Sequence, residues 1–403
     1  MREKETTSPV GRPPFLRRTN ALTILKLLRE AGTCSRADLV RASGMSAPTV
    51  TNVVADLLAA DLVQPVGEGA SSGGRRPDLI RFKAERGCLA GVRLTARFVS
   101  ILLTDLSGSE LDTSQVWLAG RKTTPEAVCA LISRETRRML KARGLQSGRL
   151  VALVVGVPAI TNVDEGVVRA ISTLEKWREV PLRAMLQRSF RCYVAVENDT
   201  NLAALGEGSE GAARGERSFV EIDIGANVSA GIVLNGRVYH GAQWSAGEIG
   251  YLRLPHISRR DPALHEFGAL ETVLSSAGIR QSWRKAAAQR QTPVPLMGRV
   301  DVAAILDMAQ RGEPAAKKVI KQRAAMVADM IVNLSLILNP GLVVLGGEVG
   351  RHPALLSFLS KELERCEFAA PRIAAARLGE AAVERGAIAT ALEAIPAILL
   401  PAP

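Results

Sequence analysis

Aromatic side chains are scarce in this 403-residue chain, at 4% of positions, and its five cysteines (Cys34, Cys88, Cys129, Cys192, Cys366) lie far apart with no C-x-x-C pair. That spacing offers neither a disulfide framework nor a thiolate cage for zinc, and it fits a reducing compartment. Long apolar runs are missing too: the most apolar stretch, Met330 to Leu345, is interrupted by Asn333, Asn339 and Pro340. The opening MREKETTSPVGRPPF is charged and holds no apolar segment. Neither a signal peptide nor a membrane span is therefore expected, and the expected location is the cytoplasm. With 47% apolar and 23% charged residues, the composition is that of globular protein and excludes a largely disordered chain. The length predicts two or three domains.

The formal charge is +12, but the first 86 residues hold 14 basic against 9 acidic side chains, so the excess is spread along the chain. Charge alone favours nucleic acid without locating a site, and local pattern must do that. In TNALTILKLLREAG, Thr19 and Asn20 offer helix caps, Ala21, Ile24, Leu25 and Leu28 an apolar stripe, and Gly32 a stop. Ser35 with Asp38 three residues on has the form of a capping box, opening a short helix that Gly44 ends. Ser46 then caps a third helix with Pro48 in its first turn and a stripe of Val50, Val53, Val54, Leu57 and Leu58. Helix, glycine turn and helix make a helix-turn-helix.

Ser46, Ala47, Thr49 and Asn52 are short enough, and polar or methyl-bearing enough, to meet base edges in a major groove. Phosphate contacts are expected from Arg17, Arg18, Arg36 and Arg41, and from Arg75 and Arg76 at the tip of a glycine-rich hairpin between Leu62–Val66 and Leu79–Phe82, which reads as a wing. A three-helix protein-interaction module with a solvated basic loop is the alternative.

Beyond Gly87, strand-like runs (Leu89–Leu94, Val99–Thr104, Leu150–Val157) alternate with helical stretches such as Thr124–Arg143, the pattern of an α/β body. A second series opens at Phe219 with EIDIGANVSAGIVLNGRVYHG, where Asn235-Gly236 is a hairpin signal, and closes on Leu342–Leu345 with Gly346-Gly347. The expected fold is α/β: a flexible tail over 1–16, a winged helix-turn-helix over 17–84, and a two-lobed body with lobes at 85–200 and 201–380. A last helix at 381–398 is expected to pack back on the first lobe, with an effector cleft between the lobes and dimerisation through the second.

The segment LRRTNALTILKLLREAGTCSRADLVRASGMSAPTVTNVVADLLAADLV followed by GGRRP resembles the DNA-binding end of the ROK family, repressors and sugar kinases sharing an actin-like body. DLSG at Asp105, VGVPAITNVDEGVVRA at Val155, VENDTNLAA at Val196, SAGEIGY at Ser245, Leu270-Glu271 and NPGLVVLGGEV at Asn339 carry the resemblance through nearly the whole chain, and the xylose-type repressor branch fits best. It implies that Asp199 matches the kinase base, while Arg93 stands where kinases place a metal-facing acid. Gly225 to Gly231 keeps only its outer glycines, and the side chains between would crowd a triphosphate. The family's structural zinc site maps onto Pro262, Leu264, Ala269 and Tyr251, so no zinc, ATP or other cofactor is expected. His256 and His265 are a poor zinc set without thiolates.

The resemblance leaves Asn198, Asp199, Glu248, Tyr251 and Glu271 at positions that contact sugar hydroxyls in the family, and carboxylates suit vicinal diols. The expected function is a homodimeric DNA-binding regulator, a repressor of carbohydrate uptake or catabolism genes, with a double-stranded operator and a sugar-like effector as partners. Two alternatives stand beside it: a residual sugar kinase with a DNA-binding appendage, and a regulator controlled by a partner protein.

Overall fold

The structure, a computed structural model, describes residues 13–68, 77–171, 173–254, 268–289, 300–366 and 370–400. Helix α1 (Pro13–Ala31) opens earlier than the caps at Thr19 and Asn20 predicted. Proline suits a first helical turn, where its missing N–H has no partner to lose. Thr19 and Asn20 thus lie inside the helix, the Thr23 hydroxyl bonds the Thr19 carbonyl at 3.0 Å, and residues 13–16 are helical rather than part of a tail.

After α1 come β1 (Thr33–Ser35), α2 (Arg36–Ser43), α3 (Ala47–Ala59), β2 (Val63–Glu68) and β3 (Asp78–Phe82). The strands pair antiparallel in the order β1-β3-β2. Strand β1 was not foreseen, because three residues are too few to show an alternation. The three helices bury Ile24, Leu25, Leu28, Leu39, Val50, Val53, Val54 and Leu57 together.

The body begins with β4 (Cys88–Leu94), β5 (Phe98–Asp105), β6 (Glu110–Trp117), α4 (Pro125–Ala142) and β7 (Leu150–Val157). The small strands β8 (Thr161–Asn162), β9 (Val167–Ala170) and β10 (Arg178–Val180), helix α5 (Leu182–Gln187), β11 (Tyr193–Asn198) and α6 (Asp199–Ser209) complete the first lobe. The second lobe contains β12 (Phe219–Ile224), β13 (Val228–Leu234), β14 (Arg237–Val238), α7 (Ala269–Leu274), α8 (Ser276–Gln289) and α9 (Val302–Gln310). It continues through α10 (Pro314–Leu338), β15 (Leu342–Gly346), α11 (Gly347–Gly350), α12 (Pro353–Leu363) and β16 (Arg372–Ala375), and helix α13 (Ala382–Leu399) follows.

The lobes repeat one topology. Each has a five-stranded sheet, β6-β5-β4-β7-β11 and β14-β13-β12-β15-β16, in which the first three strands run antiparallel and the last two join parallel. In the second sheet the Asn235-Gly236 turn, with φ of 53° and 80°, links β13 to β14, as an Asn-Gly hairpin requires.

Helix α13 packs along α6 and across β4 and β7. The crossing is close enough that a Cβ at Gly386 would stand 1.7 Å from the Leu202 carbonyl oxygen and one at Gly206 2.3 Å from that of Ala382. One apolar cluster joins Ile24, Leu28 and Leu57 of the N-terminal unit to Leu89, Leu102, Ala387 and Ile395. Arg29 reinforces that seam by donating to the Leu392 carbonyl at 2.6 Å.

Candidate DNA interface and interlobe site

Local chemistry sets the two helices of the turn. Ser35 caps α2: its hydroxyl accepts from the Asp38 N–H at 3.2 Å, while the Asp38 carboxylate accepts from the Ser35 N–H at 2.8 Å. Gly44 ends the helix at φ +68°, donating to the Val40 carbonyl at 3.0 Å. Ser46 caps α3 by accepting from the Thr49 N–H at 3.3 Å, and its hydroxyl lies 2.8 Å from that of Thr49. With Val50, Val53, Val54 and Leu57 buried, α3 leaves Ser46, Ala47 and Asn52 exposed and Thr49 half-buried. A face of short side chains with two hydroxyls and an amide can read base edges.

Asp56 lies one turn beyond Asn52, and Arg17 binds it bidentately at 2.8 and 2.6 Å. The guanidinium holds the Asp56 carboxyl below its usual range. Nothing in the sequence signals this pair, in which Arg17 neutralises an acid on α3. Arg41 pairs with Asp38 on α2, whose carboxyl is lowered first by the Ser35 hydroxyl and then by Arg41, and Arg36 is half-buried. Arg18 sits on α1 with its side chain outside the described residues, and Arg75 and Arg76 of the expected wing tip lie outside them altogether.

Between the lobes, the carboxyl ends of the central strands bring charge together. Asn198 ends β11 and caps α6, accepting from the Asn201 N–H at 3.1 Å and donating to the Ala159 carbonyl at 3.3 Å. Asp199 opens α6, and burial drives its pKa up to about 7, against the pull of Arg93 and with a further push from Asp223. Asp223, near the end of β12, is raised to about 6 by burial, again opposed by Arg93. Glu221, two residues earlier on the same strand face, is raised well above the usual carboxylate range by burial and by Asp223, and its Oε2 has no hydrogen-bond partner.

The second group lies across β13. The Thr200 hydroxyl is 2.6 Å from that of Ser229, and the neighbouring Val228 N–H donates to Glu271 at 3.3 Å. Glu248 is raised by burial and by Glu271; Tyr251, 56% exposed, is raised by burial and then by both acids. Burial raises Glu271 as well. Beside Asn198, Glu197 accepts from His240 at 2.7 Å and from the Asn201 amide at 3.0 Å, which lifts the His240 pKa. The arrangement offers acceptors to a polyhydroxylated ligand, and Asp199, raised to about 7, can also donate.

The ROK family profile matches residues 89–394, and an IclR helix-turn-helix domain matches residues 19–67. The chain belongs to the ROK family. A xylose repressor of Caldicellulosiruptor bescii is 25% identical over 391 residues, covering 94% of this chain and 97% of that one. The crystal structure of a ROK family transcriptional regulator, described as a homolog of the Escherichia coli MLC protein, superposes with a TM-score of 0.80 at 25% identity, covering 96% and 98% of the two chains. The ROK hexokinase of Thermus thermophilus gives a TM-score of 0.61 at 28% identity; it is covered over 97% of its length but covers 75% of this chain. The chain is thus a ROK transcriptional regulator with an N-terminal DNA-binding unit on a kinase-like body.

In this ROK body the five residues expected at the effector site fall into two groups, Asn198 with Asp199 and Glu248 with Tyr251 and Glu271, joined through the first residues of β13. Asp223, Glu197 and His240 were missed. The Glu197-Asn198-Asp199 string was a signal for the first acid; nothing local marks Asp223, because β12 carries its acids on one face of an otherwise ordinary strand. Gly347, at φ +71°, would bring a Cβ within 2.3 Å of the Ile224 carbonyl oxygen, so close packing against β12 suffices to require glycine there. His256 and His265 lie outside the described residues.

Proposed function

We propose that this ROK regulator represses carbohydrate uptake or catabolism genes, binds a sugar-class effector between its lobes, and lacks sugar kinase activity. Arg93 carries that proposal. By the family resemblance it stands where kinases hold a metal-facing acid, and its charge acts on Asp199 and Asp223. A fixed guanidinium there supplies the counter-charge that a bound metal would otherwise bring, and it is repelled by that metal. Asp199, Glu248, Glu271 and Asn198 would bind effector hydroxyls, with Tyr251 at the rim. Zinc does not fit: a phenol at Tyr251 and a methyl at Ala269 replace imidazole and thiolate donors. No cofactor is proposed.

Two copies of the chain would bind a two-fold operator in the cytoplasm, since one winged helix reads too few base pairs for a unique site. Ser46, Ala47, Thr49 and Asn52 would meet bases, and Arg18, Arg36, Arg41, Arg75 and Arg76 phosphates, with Arg17 shared between Asp56 and the DNA backbone. The repressor of Caldicellulosiruptor bescii and the MLC homolog support the regulatory role. Selection of bound genomic fragments, followed by release with a panel of neutral and phosphorylated sugars, tests the proposal. A sugar should release the DNA from the parent and not from Asp199→Ala. ATP-dependent phosphorylation of any sugar, or release indifferent to Asp199→Ala, would overturn it.

A further inference from the structure

Segment 239–248 follows β14 and leads back beside β13 to Glu248 of the interlobe site. Its own bonds set its shape: the Ala246 N–H donates to the His240 carbonyl at 3.1 Å, and the Gly247 carbonyl accepts from the Ala230 N–H of β13 at 2.8 Å. Gly247 turns at φ +92°, and a Cβ there would stand 1.9 Å from the Ala230 carbonyl oxygen, so that anchor requires glycine. Trp244 also stands at positive φ, +56°, where a bulky side chain is an outlier. Such strain persists only where the surroundings hold the residue in place, and it gathers at ligand clamps and switch regions.

The segment belongs to the second lobe and holds the first at two points. His240 Nε2 lies 2.7 Å from Glu197 Oε2. The other oxygen of Glu197 accepts from the Asn198 N–H at 2.8 Å and from the Asn201 amide at 3.0 Å, which links His240 to the residue that caps α6 at the effector site. The Trp244 ring carries the Arg169 guanidinium 5.8 Å from its centroid, and Arg169, on β9, pairs with Glu179 at 3.0 Å. The Arg169 N–H donates to the Ile160 carbonyl at 3.0 Å, next to Ala159, whose carbonyl accepts from the Asn198 side chain.

We propose that this segment is a strap fastening the lobes in the closed arrangement to which an effector binds, and that His240 and Trp244 are positioning residues for that binding without touching the ligand. The inference rests on the reading of the interlobe site as a sugar site. Parting the lobes breaks the His240–Glu197 bond and lifts the Trp244 ring from Arg169, so both contacts favour the closed state. An effector held by Asn198 and Asp199 on one lobe and by Glu248 and Glu271 on the other favours the same state. Loosening the strap therefore lowers the apparent affinity in proportion to the fraction of molecules left closed. That fraction is a property of the protein, so the loss is the same for every sugar that binds.

The test titrates the full-length protein, by calorimetry, with D-xylose, D-glucose, N-acetyl-D-glucosamine and the 6-phosphates of the last two. His240→Ala and Trp244→Gly should each weaken every sugar that the parent binds by at least about fivefold, each variant by one factor throughout the panel. His240→Gln, which keeps a donor for Glu197, should stay within about twofold of the parent. A sugar that binds parent, His240→Ala and Trp244→Gly alike, a loss that His240→Gln does not repair, or a factor that changes from sugar to sugar would overturn the strap and leave the effector site standing. Binding of none of the five, or binding indifferent to Asp199→Ala, would overturn the sugar-site reading and this inference with it.

Discussion

The DNA-binding unit and the interlobe site handle charge in opposite ways. In the first, acids and bases meet at the surface over short or moderate separations: Asp38 with Arg41, Asp56 with Arg17, Arg81 with Glu85. In the second, Asp199, Asp223 and Glu221 are enclosed, and a cation that acts on both aspartates, Arg93, arrives from a strand about a hundred residues earlier, with Arg351 acting on Asp223 as well. Surface pairs contribute little to stability because water screens them, so the proposed exchange of Asp56 for a phosphate at Arg17 would cost little. Enclosed charges depend on their neighbours, so a ligand that changes those neighbours changes the energy of the whole body.

If that contrast is right, damage to the enclosed packing of the body should cost far more than damage to the helix-turn-helix surface. Gly386→Ala is the strongest test. Alanine is about 1 kcal/mol better than glycine in a helix interior, yet its Cβ would lie 1.7 Å from a backbone oxygen that cannot move aside without displacing α6. The clash should win, with a net loss of about 3 kcal/mol in urea unfolding. A stabilised variant would mean that α6 and α13 do not cross as described.

Arg93→Ala should come next, at about 2 kcal/mol at pH 8, because two enclosed acids lose a cation that acts on both. The loss should shrink at pH 5, where both acids are protonated; a loss that did not change with pH would show that packing, not charge, is what Arg93 contributes. Asp199→Asn sharpens the same point from the other side. Unfolded aspartate releases its proton near pH 4, whereas Asp199 and Asp223 hold theirs to about 7 and about 6 in the folded protein. Between those limits the folded state binds more protons, so stability falls as pH rises from about 4 to about 7. Asp199→Asn should remove part of that fall, gaining about 1–2 kcal/mol at pH 8 and nothing at pH 4, while weakening effector binding.

The smaller effects belong to the other region. Ser46→Ala removes the cap of α3 and should cost about 1 kcal/mol by thermal or urea unfolding. Arg17→Ala should change stability by less than about 0.5 kcal/mol, yet it leaves Asp56 unneutralised and should lower the salt slope of DNA binding by about one. A stability loss as large as that of Arg93→Ala would erase the contrast between the two regions.

The sequence itself determined the helix-turn-helix almost residue by residue. Ser35 with Asp38, Gly44, and Ser46 with Pro48 act over three or four positions, and the caps, the left-handed turn and the apolar stripe of α3 all formed as their spacing required. The Asn235-Gly236 hairpin and the runs that became β4, β5 and β7 were legible for the same reason. The start of α1 was misplaced because two prolines can open a helix as well as precede one. The tertiary structure alone decided that Arg93 acts on Asp199 and Asp223, that Arg17 covers Asp56, and that His240 meets Glu197 from the other lobe. A charge's neighbours depend on which strand ends face each other and how closely two helices cross, and those follow from the packing of whole lobes, to which no short stretch of residues gives access.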